Sequence, residues 1–513
     1  MNKQAAEEYL VPIRPASEGR NPCWNGYSRK FTFAPAFEVE AMEGAASYEF
    51  IITPQPSSYY PEGVSAYSKW SFVSEDPCAD LSPVWASIPP SNVHLDILAR
   101  DRAGNLIDTV FQRSFLRDFP FRGPYSGNVR SYREAAVMAA MYVHRMKAVQ
   151  SFRESTEPDM SYDHFTYANK IVGGLISIEA KLAREVPSMR EEALQIARNA
   201  ARFLFDSSRP EGDPLEFFPP TYYGGYVTSG AEWNQGKTMT MDALMAANAF
   251  LDLFDVTGDS LYLDRSLRIA HTYSTLQGED GSFPMKVDFA TGEPVNAAKA
   301  MLTPLLNFIR RLERNYGITE YSEMREKASS WMREVALETF DLTGQFEDVN
   351  IMGLVRYQNL TNCTACPYAS YLLTGKDVTK QDIADAADLI HMSEDQFVHW
   401  DYLPDENGIR IMPTPCVFEQ HLFQQAVDNS SCNVANAFLD YYNATGDRLA
   451  FEKAKALADN LTVVQNATTG RIPTIMQFRP TGNGNSFWIN CSNASITLLL
   501  RMAEITGETV AQR

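Results

Sequence analysis

The stretch from Asn433 to Leu461, NVANAFLDYYNATGDRLAFEKAKALADNL, closely repeats an earlier one from Ala247 to His271, ANAFLDLFDVTGDSLYLDRSLRIAH. In each copy apolar residues recur every three to four positions, which is typical of a helix with one buried face. Gly446 and Gly258 end these helices, since glycine tolerates the left-handed conformation found just past a helix end. The aspartate after each glycine can cap the next helix. Each copy is therefore predicted to be a helical hairpin.

The same turn signal recurs along the chain, so one hairpin unit is used repeatedly. Its pivots are Pro187, Gly258, Gly317, Gly375, Gly446 and Gly507. Twelve helices are predicted, near 132–149, 165–185, 188–206, 238–256, 259–276, 296–316, 320–339, 362–373, 379–393, 430–445, 447–465 and 490–505. Short turns alternate with long loops, a pattern that resembles the (α/α)6 toroid. An open α-solenoid is the alternative, but its repeats are usually shorter, about 34 to 47 residues.

The part of the chain before the helices has a different pattern. Residues 23–118 contain short β-forming runs such as VHLDILARD, followed by the hairpin turn RAGN. About seven such strands predict an immunoglobulin- or fibronectin-like β-sandwich. Residues 1–22 are predicted to be an N-terminal arm, and the proline-rich residues 119–130 a linker. The toroid is then expected to occupy residues 131–513 and to form the catalytic domain.

The composition excludes several classes of partner. A formal net charge of −19 disfavours nucleic acid and anionic membrane surfaces, because both require a basic footprint. We find no apolar run long enough for a membrane span and no signal-peptide pattern at the N-terminus, so a soluble protein is expected. Seven cysteines do not suggest a disulfide framework. Cys363 and Cys366 lack a second close pair, so we expect packing roles, no metal and no cofactor.

The long loops that enter the predicted inner helices are rich in acids and aromatic residues. Aromatic rings stack on sugar rings, while polar side chains bond sugar hydroxyls, so an oligosaccharide substrate is expected. Glycoside hydrolysis commonly needs one protonated and one ionised carboxyl group. The candidate catalytic acids are Asp395, Glu419, Glu232 and Asp401. The candidate binding residues are Tyr222, Tyr223, Trp233, Asn234, Arg356, Trp400, His421 and Trp488.

Each of these residues also has an ordinary structural explanation. A single loop carboxylate is more often a helix cap or a solvated charge than a catalyst. A tryptophan such as Trp400 or Trp488 can simply belong to the core. Asp395 and Glu419 are the preferred acid–base pair, because both lie beside aromatic residues near the start of a predicted inner helix. Arg356 is the preferred partner for an anionic sugar.

Five segments, EDQFVHW, CVFEQHLFQ, ANAFLDYYNATGD, GRIPT and FWINC, resemble in this order the C-terminal half of bacterial six-hairpin glycosidase-like proteins. The chain is most similar to glycoside hydrolase family 154, over roughly residues 131–507. The resemblance implies a toroid fold, uronic-acid-containing glycans and β-glucuronidase activity, in the periplasm or cytoplasm of a bacterium. It assigns no catalytic residue, and the wider superfamily also includes polysaccharide lyases and sugar epimerases.

The sequence therefore predicts an exo-acting glycoside hydrolase that removes a sugar, a uronic acid by resemblance, inside the funnel of the toroid. Two alternatives stay open at this point. A polysaccharide lyase would use tyrosine and histidine to form a product with an ultraviolet-absorbing double bond. A non-catalytic glycan-binding protein would bind in the same funnel without turnover. A terpenoid cyclase is disfavoured because no DDxxD motif occurs.

Overall fold

The structure is a computed structural model whose two main parts are a helical ring and a sheet that precedes it in the chain. Its described residues are 2–14, 22–56, 60–224, 230–402, 412–477 and 487–508. Within these ranges a helix lies at each of the twelve predicted positions. We label them α1 to α12 in chain order: Tyr132–His144, Ala168–Glu185, Arg190–Asp206, Ala243–Thr257, Ser260–Leu276, Thr303–Tyr316, Ser322–Trp331, Asn362–Leu373, Lys380–Phe397, Asp428–Thr445, Arg448–Val464 and Ile489–Ile505.

The even-numbered helices form a closed inner ring. Helix α2 contacts α4, and the contacts continue through α6, α8 and α10 to α12, which packs against α2. The odd-numbered helices lie outside, each against an inner helix next to it in the chain. Because α12 returns to α2, the chain forms a toroid and not an open solenoid.

The turns between inner and outer helices follow the predicted chemistry. Gly258, Gly317 and Gly446 end inner helices with φ values of 70°, 68° and 77°, a left-handed conformation that side-chain-bearing residues rarely adopt. Asp259 and Asp447 cap the outer helices that follow, since each carboxylate accepts a backbone N–H two residues ahead. These short turns contribute few residues beyond the caps themselves.

The sequence repeat also places a polar clasp between neighbouring inner helices. In α10, the carboxylate of Asp440 pairs with Arg501 of α12 at 2.5 Å, and the side-chain oxygen of Asn436 accepts a bond from the same arginine at 2.8 Å. In α4, Asp252 pairs with Arg311 of α6 at 2.8 Å. The motif ANAFLD, which both repeats share, therefore supplies the polar residues that hold α10 to α12 and α4 to α6.

The ring closes between its first and last helices. Helix α1 packs against α12, so it fills the sixth outer position. The carboxylate of Glu508, just past α12, accepts the backbone N–H groups of Tyr132 and Arg133 at 3.1 and 2.9 Å. The side chain of Ser131 caps the same helix by accepting from the backbone of Glu134. The first turn of α1 is thus satisfied partly by a residue almost 380 positions later in the chain.

A five-stranded sheet precedes the ring. Its strands are β1 to β5 in chain order: Lys30–Phe31, Ser47–Pro54, Trp70–Ser74, Ser91–Arg100 and Leu106–Arg117. Their spatial order is β1-β5-β4-β2-β3, with β1 parallel to β5 and the other pairs antiparallel. Alternate residues of β4 are fully buried, as a sheet with one covered face requires.

The predicted β-sandwich is confirmed only as this one sheet. In the described residues its covered face packs against a short helix, Ser82–Trp85, and against Phe37 from the loop between β1 and β2, not against a second layer of strands. Trp85 is fully buried there, and its indole N–H donates to the carbonyl of Thr32. The domain boundaries at residues 22, 118 and 130 stay predictions.

Buried charges join the N-terminal part to the ring. Lys453 of α11, only 1% exposed, pairs with Glu8 at 2.6 Å and with the fully buried Glu394 of α9 at 2.8 Å. The hydroxyl of Tyr9 donates to Glu394 as well, at 2.6 Å. Charged groups without water need close partners, so this cluster fixes the short N-terminal helix, Asn2–Glu8, on the ring.

Three helix boundaries differ from the prediction in ways that affect the site. Helix α4 begins at Ala243 and α6 at Thr303, five and seven residues later than expected, while α9 continues to Phe397. Residues 296–302 and 240–242 therefore lie outside the helices in loops, residues 238 and 239 belong to a short strand, Lys237–Met239, and residues 394–397 belong to a helix. No helix among the described residues is long and apolar enough to cross a membrane.

Candidate functional site

A cavity of about 750 Å³ lies at the end of the ring where the long loops enter the inner helices. The first turn of each of the six inner helices contributes at least one residue to the wall of this cavity. One such residue from each helix, in ring order, is Lys170, Met245, Thr303, Cys363, Asn429 and Asn490. Backbone N–H groups at helix starts favour polar or anionic ligands. The ring thus gathers residues from distant parts of the chain around one hollow.

Two acids on this wall hold their protons unusually tightly. Burial and the negative charge of Glu347 raise the pKa of Asp242 to about 7, although Thr221 donates a hydrogen bond to it at 2.9 Å. Burial also raises the pKa of Glu419 to about 7, against the opposing charge of Lys170. A carboxyl group with a pKa near the working pH is suited to proton transfer.

An ion pair on the same wall joins the first turn of α2 to the loop before α8. The amine of Lys170, in the first turn of α2, donates to the carboxylate of Glu347 at 2.5 Å. Burial disfavours the charged amine, yet the carboxylates of Glu347 and Asp348 hold the pKa of Lys170 above its usual range. Burial and the neighbouring Glu347 in turn raise the pKa of Asp348. The lysine therefore stays charged in the cavity.

An aromatic group forms another part of the wall. The indole of Trp488 stacks on His164 at a centroid distance of 4.1 Å and on Tyr167 at 5.6 Å. The amine of Lys170 lies 4.7 Å from the same indole, within the range of a cation–π contact. These contacts hold the rings in fixed positions beside the charged residues.

Two of the twelve predicted site residues line this cavity among the described residues, Glu419 and Trp488. Tyr222 and Asn234 lie one layer behind the wall. The hydroxyl of Tyr222 donates to the backbone carbonyl of Glu347 at 3.0 Å, and the amide of Asn234 approaches the same carbonyl at 3.4 Å. Both side chains therefore position the loop that carries Glu347.

Asp395 and Trp400 are corrections to the predicted site, because both lie where the ring meets the N-terminal part. The carboxylate of Asp395 accepts the backbone N–H groups of Thr32 and Phe33 at 2.6 and 2.8 Å. Burial raises its pKa to about 6, but it is 1% exposed and does not reach the cavity. Trp400 is fully buried, with its indole N–H bonded to Glu394 at 2.8 Å. In this structure both side chains hold the ring to the N-terminal part or to its own interior, away from the cavity.

The other predicted residues also lie outside the described cavity wall. They are Glu232, Asp401, Tyr223, Trp233, Arg356 and His421. Glu232 and Trp233 are exposed, while the Tyr223 hydroxyl donates to the carboxylate of Glu157. Asp401 is half-buried, and its carboxylate accepts the N–H of the next residue.

Arg356 and His421 point to other parts of the surface and core. The guanidinium of Arg356 is 43% exposed and pairs with Asp341 at 3.6 Å. His421 packs against Phe397 of α9, and burial lowers its pKa to about 4, so it is neutral near pH 7. Neither residue can supply the cation expected for an anionic sugar.

The two cysteines of the pair Cys363 and Cys366 lie on the same helix, α8, but in different surroundings. Cys366 is fully buried, as expected for a packing residue, but Cys363 lines the cavity. The amide of Asn433 donates to the Cys363 sulfur at 3.3 Å, and burial raises the pKa of this thiol to about 12. The protonated thiol is a poor nucleophile. Among the described residues, no group of three His, Cys, Asp or Glu lies close enough to hold a metal ion.

Sequence reasoning missed Asp242, Lys170 and Tyr167. Asp242 and Lys170 were placed inside predicted helices, where a charged residue has no special meaning. Their position is the signal that identifies them. Asp242 comes directly before the inner helix α4, and Lys170 lies in the first turn of the inner helix α2, so both face the end of the ring where the cavity lies. The predicted candidates also omit Glu347 and Asp348, two adjacent acids in a long loop.

No protein-family model matches the chain, and a comparison with curated proteins found no match. Among solved structures, the fold is similar to that of a sugar epimerase from a ruminal bacterium, with 12% identity, a TM-score of 0.52, and coverage of 72% of this chain and 98% of that one. An unsaturated glucuronyl hydrolase specific for heparin matches with 12% identity, a TM-score of 0.49, and coverage of 74% and 98%. A family 76 glycoside hydrolase from a bovine Bacteroides thetaiotaomicron strain matches with 10% identity, a TM-score of 0.48, and coverage of 92% and 100%. At these identities the similarity concerns the fold alone.

Proposed function

We propose that this protein is a glycoside hydrolase in which Asp242 and Glu419 are the working carboxyl groups. The observation that carries the proposal is the pair of cavity acids whose pKa values are each raised to about 7. Asp242 precedes α4, and Glu419 lies in the loop before α10. These helices are three places apart in a ring of six, so the two acids approach the cavity from opposite sides.

This arrangement fits the chemistry of glycosidic bond cleavage. One carboxyl group must donate a proton to the leaving oxygen while another, ionised, activates water or attacks the sugar. With pKa values near 7, either acid can hold a proton at neutral pH and release it during the reaction. Glu347, paired with Lys170, adds a carboxylate whose charge acts on both acids.

The size of the cavity favours an exo-acting enzyme. About 750 Å³ is within the usual range for a small-molecule site and holds a short substrate, not a long stretch of polymer. The stacked group around Trp488 supplies an aromatic surface, and Asn429, Asn433 and Asn490 supply amides for hydroxyl groups. A terminal sugar removed from a larger glycoside suits these dimensions.

The preference for a uronic acid rests on the sequence resemblance to glycoside hydrolase family 154. Among the described residues that line the cavity, Lys170 is the one lysine or arginine, so it would replace Arg356 as the partner of a sugar carboxylate. Its present pairing with Glu347 means that a uronate must share this cation. Protonation of Asp242 and Glu419 reduces repulsion of the anionic sugar, so uronate binding should strengthen towards acidic pH.

The test is a screen of aryl glycosides, including the glucuronide, glucoside, galactoside and mannoside, with wild-type protein and three variants. We expect at least one glycoside to be hydrolysed. Asp242→Asn and Glu419→Gln should each reduce kcat/KM by about 100-fold or more, because each removes a proton-transfer group. Glu232→Gln is the matched control, since Glu232 is exposed and outside the cavity wall.

Other outcomes would reject the proposal in favour of the alternatives. Full activity in both cavity variants would remove Asp242 and Glu419 from the mechanism. A product of uronate-containing oligosaccharides that absorbs in the ultraviolet would indicate a lyase. Saturable sugar binding without any turnover would indicate a binding protein.

A further inference from the structure

The wall of the cavity differs in character from one side to the other. On the side of α12 and α2 it carries the charged and aromatic residues His164, Tyr167, Lys170 and Trp488. On the side of α4 and α6 it carries five methionines: Met239, Met241, Met245, Met285 and Met301. We call this second side the methionine wall. A sugar, with its many hydroxyl groups, needs the first side far more than the second.

Met239, Met241 and Met285 are buried core residues, but the other two methionines of the wall are more open. Met245, in the first turn of α4, is 40% exposed, and Met301 before α6 is half-buried. Pro304, in the first turn of α6, is also exposed and lines the cavity. Apolar surface left open to water is unfavourable by roughly 25 cal/mol per Å², so this wall gains from being covered. Methionine is flexible and polarisable, and it adapts to irregular apolar ligands.

Asp242 lies at the edge of the methionine wall. Met241 is its neighbour in sequence, and Met245 is three residues ahead, at the spacing that places two side chains on the same side of a helix start. The group that Asp242 protonates therefore leaves next to an apolar surface. The polar residues that suit the sugar ring lie on the α2 side of the same aspartate.

We propose that the methionine wall binds the leaving group of the substrate, which is therefore an apolar alcohol or phenol and not a second sugar. This inference rests on the proposed function and narrows its substrate class to glycosides with a hydrophobic aglycone. Asp242 donates its proton to the glycosidic oxygen as the bond to the anomeric carbon breaks, and the apolar alcohol departs. Water supplies the hydroxyl group of the freed sugar, and its other proton returns a site carboxylate to the acid form.

The experiment uses ethyl, butyl and hexyl glycosides of glucuronic acid, glucose, galactose and mannose. These alcohols have nearly equal acidity, so only the apolar area of the leaving group changes along the series. For the sugar that is accepted, we expect kcat/KM to rise by about fourfold for each added methylene that becomes fully buried, which corresponds to about 0.8 kcal/mol.

A variant of the methionine wall tests whether this wall causes the dependence of kcat/KM on the length of the alkyl chain. Met245→Gln should flatten the dependence of kcat/KM on chain length, and a circular dichroism spectrum and urea-unfolding midpoint close to those of the wild-type protein show that the variant is folded. Val355→Gln is the matched control, because Val355 is an exposed apolar residue, 55% accessible, that does not line the cavity. It should retain the slope of the wild-type protein.

The possible failures are distinguishable. Equal kcat/KM for ethyl and hexyl glycosides would overturn the role of the methionine wall and leave the hydrolase proposal standing. An unchanged slope in Met245→Gln would do the same. If no alkyl or aryl glycoside is cleaved at all, the proposed function itself fails, and this inference fails with it.

Discussion

Replacing Asp242 by Asn should make the protein more stable at neutral pH, even though it removes a catalytic group. Asp242 is 8% exposed, and its pKa rises from an ordinary value of 3.8 to about 7 because of burial and the charge of Glu347. Asparagine has nearly the same shape and does not titrate. Its side-chain oxygen can still accept the hydrogen bond from Thr221.

The sign and size follow from the two pKa values. Between pH 3.8 and about 7, the folded chain keeps the Asp242 proton, whereas the unfolded chain has released it. Each pH unit in this window therefore lowers the free energy of unfolding of the wild-type protein by about 1.4 kcal/mol relative to the variant. The difference should be near zero at pH 4 and reach about 4 kcal/mol above pH 7.

The measurement is urea unfolding of both proteins at half-unit intervals from pH 4 to pH 8.5, with the difference in unfolding free energy plotted against pH. Val355→Gln, at an exposed position with no ionisable group, is the control and should give a difference that does not change with pH. A flat plot for Asp242→Asn would refute the argument, because it would mean that Asp242 titrates alike in the folded and unfolded chain. A difference that falls with rising pH would refute it more directly.

Two further variants test the packing around the ring. Lys453→Met should lower the free energy of unfolding by about 3–5 kcal/mol, because it leaves the fully buried carboxylate of Glu394 without its cation; adding Glu394→Gln should recover part of this loss in urea unfolding. Gly174→Ala should cost about 1–3 kcal/mol, since a Cβ at this position would lie 3.0 Å from the backbone of Asn490. Gly127→Ala, which meets nothing within 4 Å, is the control, and equal stability of the two alanine variants would contradict the packing argument.

The helical ring could be predicted from the sequence because its signals are local. A glycine past a helix end and an aspartate at the next helix start act within a few residues, as Gly446 and Asp447 show. The prediction that the ring closes required only a count of the helical hairpins. The sheet was harder: the strands were visible, but nothing local indicates that the short helix ending at Trp85, and not more strands, covers its face.

The site was only partly predictable because it depends on where helices begin and end. A predicted start at residue 238 hid Asp242 inside α4, which actually begins at Ala243. A predicted end at residue 393 placed Asp395 in a loop, whereas α9 continues to Phe397 and carries this acid into the junction with the N-terminal part. Shifts of four or five residues are ordinary for sequence-based boundaries. Because of these shifts, the sequence predicts Asp395 as a site acid in place of Asp242, which lines the cavity.

The partnership of α1 with α12 has a consequence for biosynthesis. A ribosome adds about 5–20 residues per second, so α1 emerges on the order of tens of seconds before the helix that must cover its apolar face. Until Glu508 is made, the first turn of α1 also lacks its carboxylate cap. During this interval α1 can pack against α2, which follows it in the chain, but the part of its apolar surface that α12 covers stays exposed on the nascent chain. Production of the native protein should therefore depend strongly on cellular chaperones that bind such surfaces during translation.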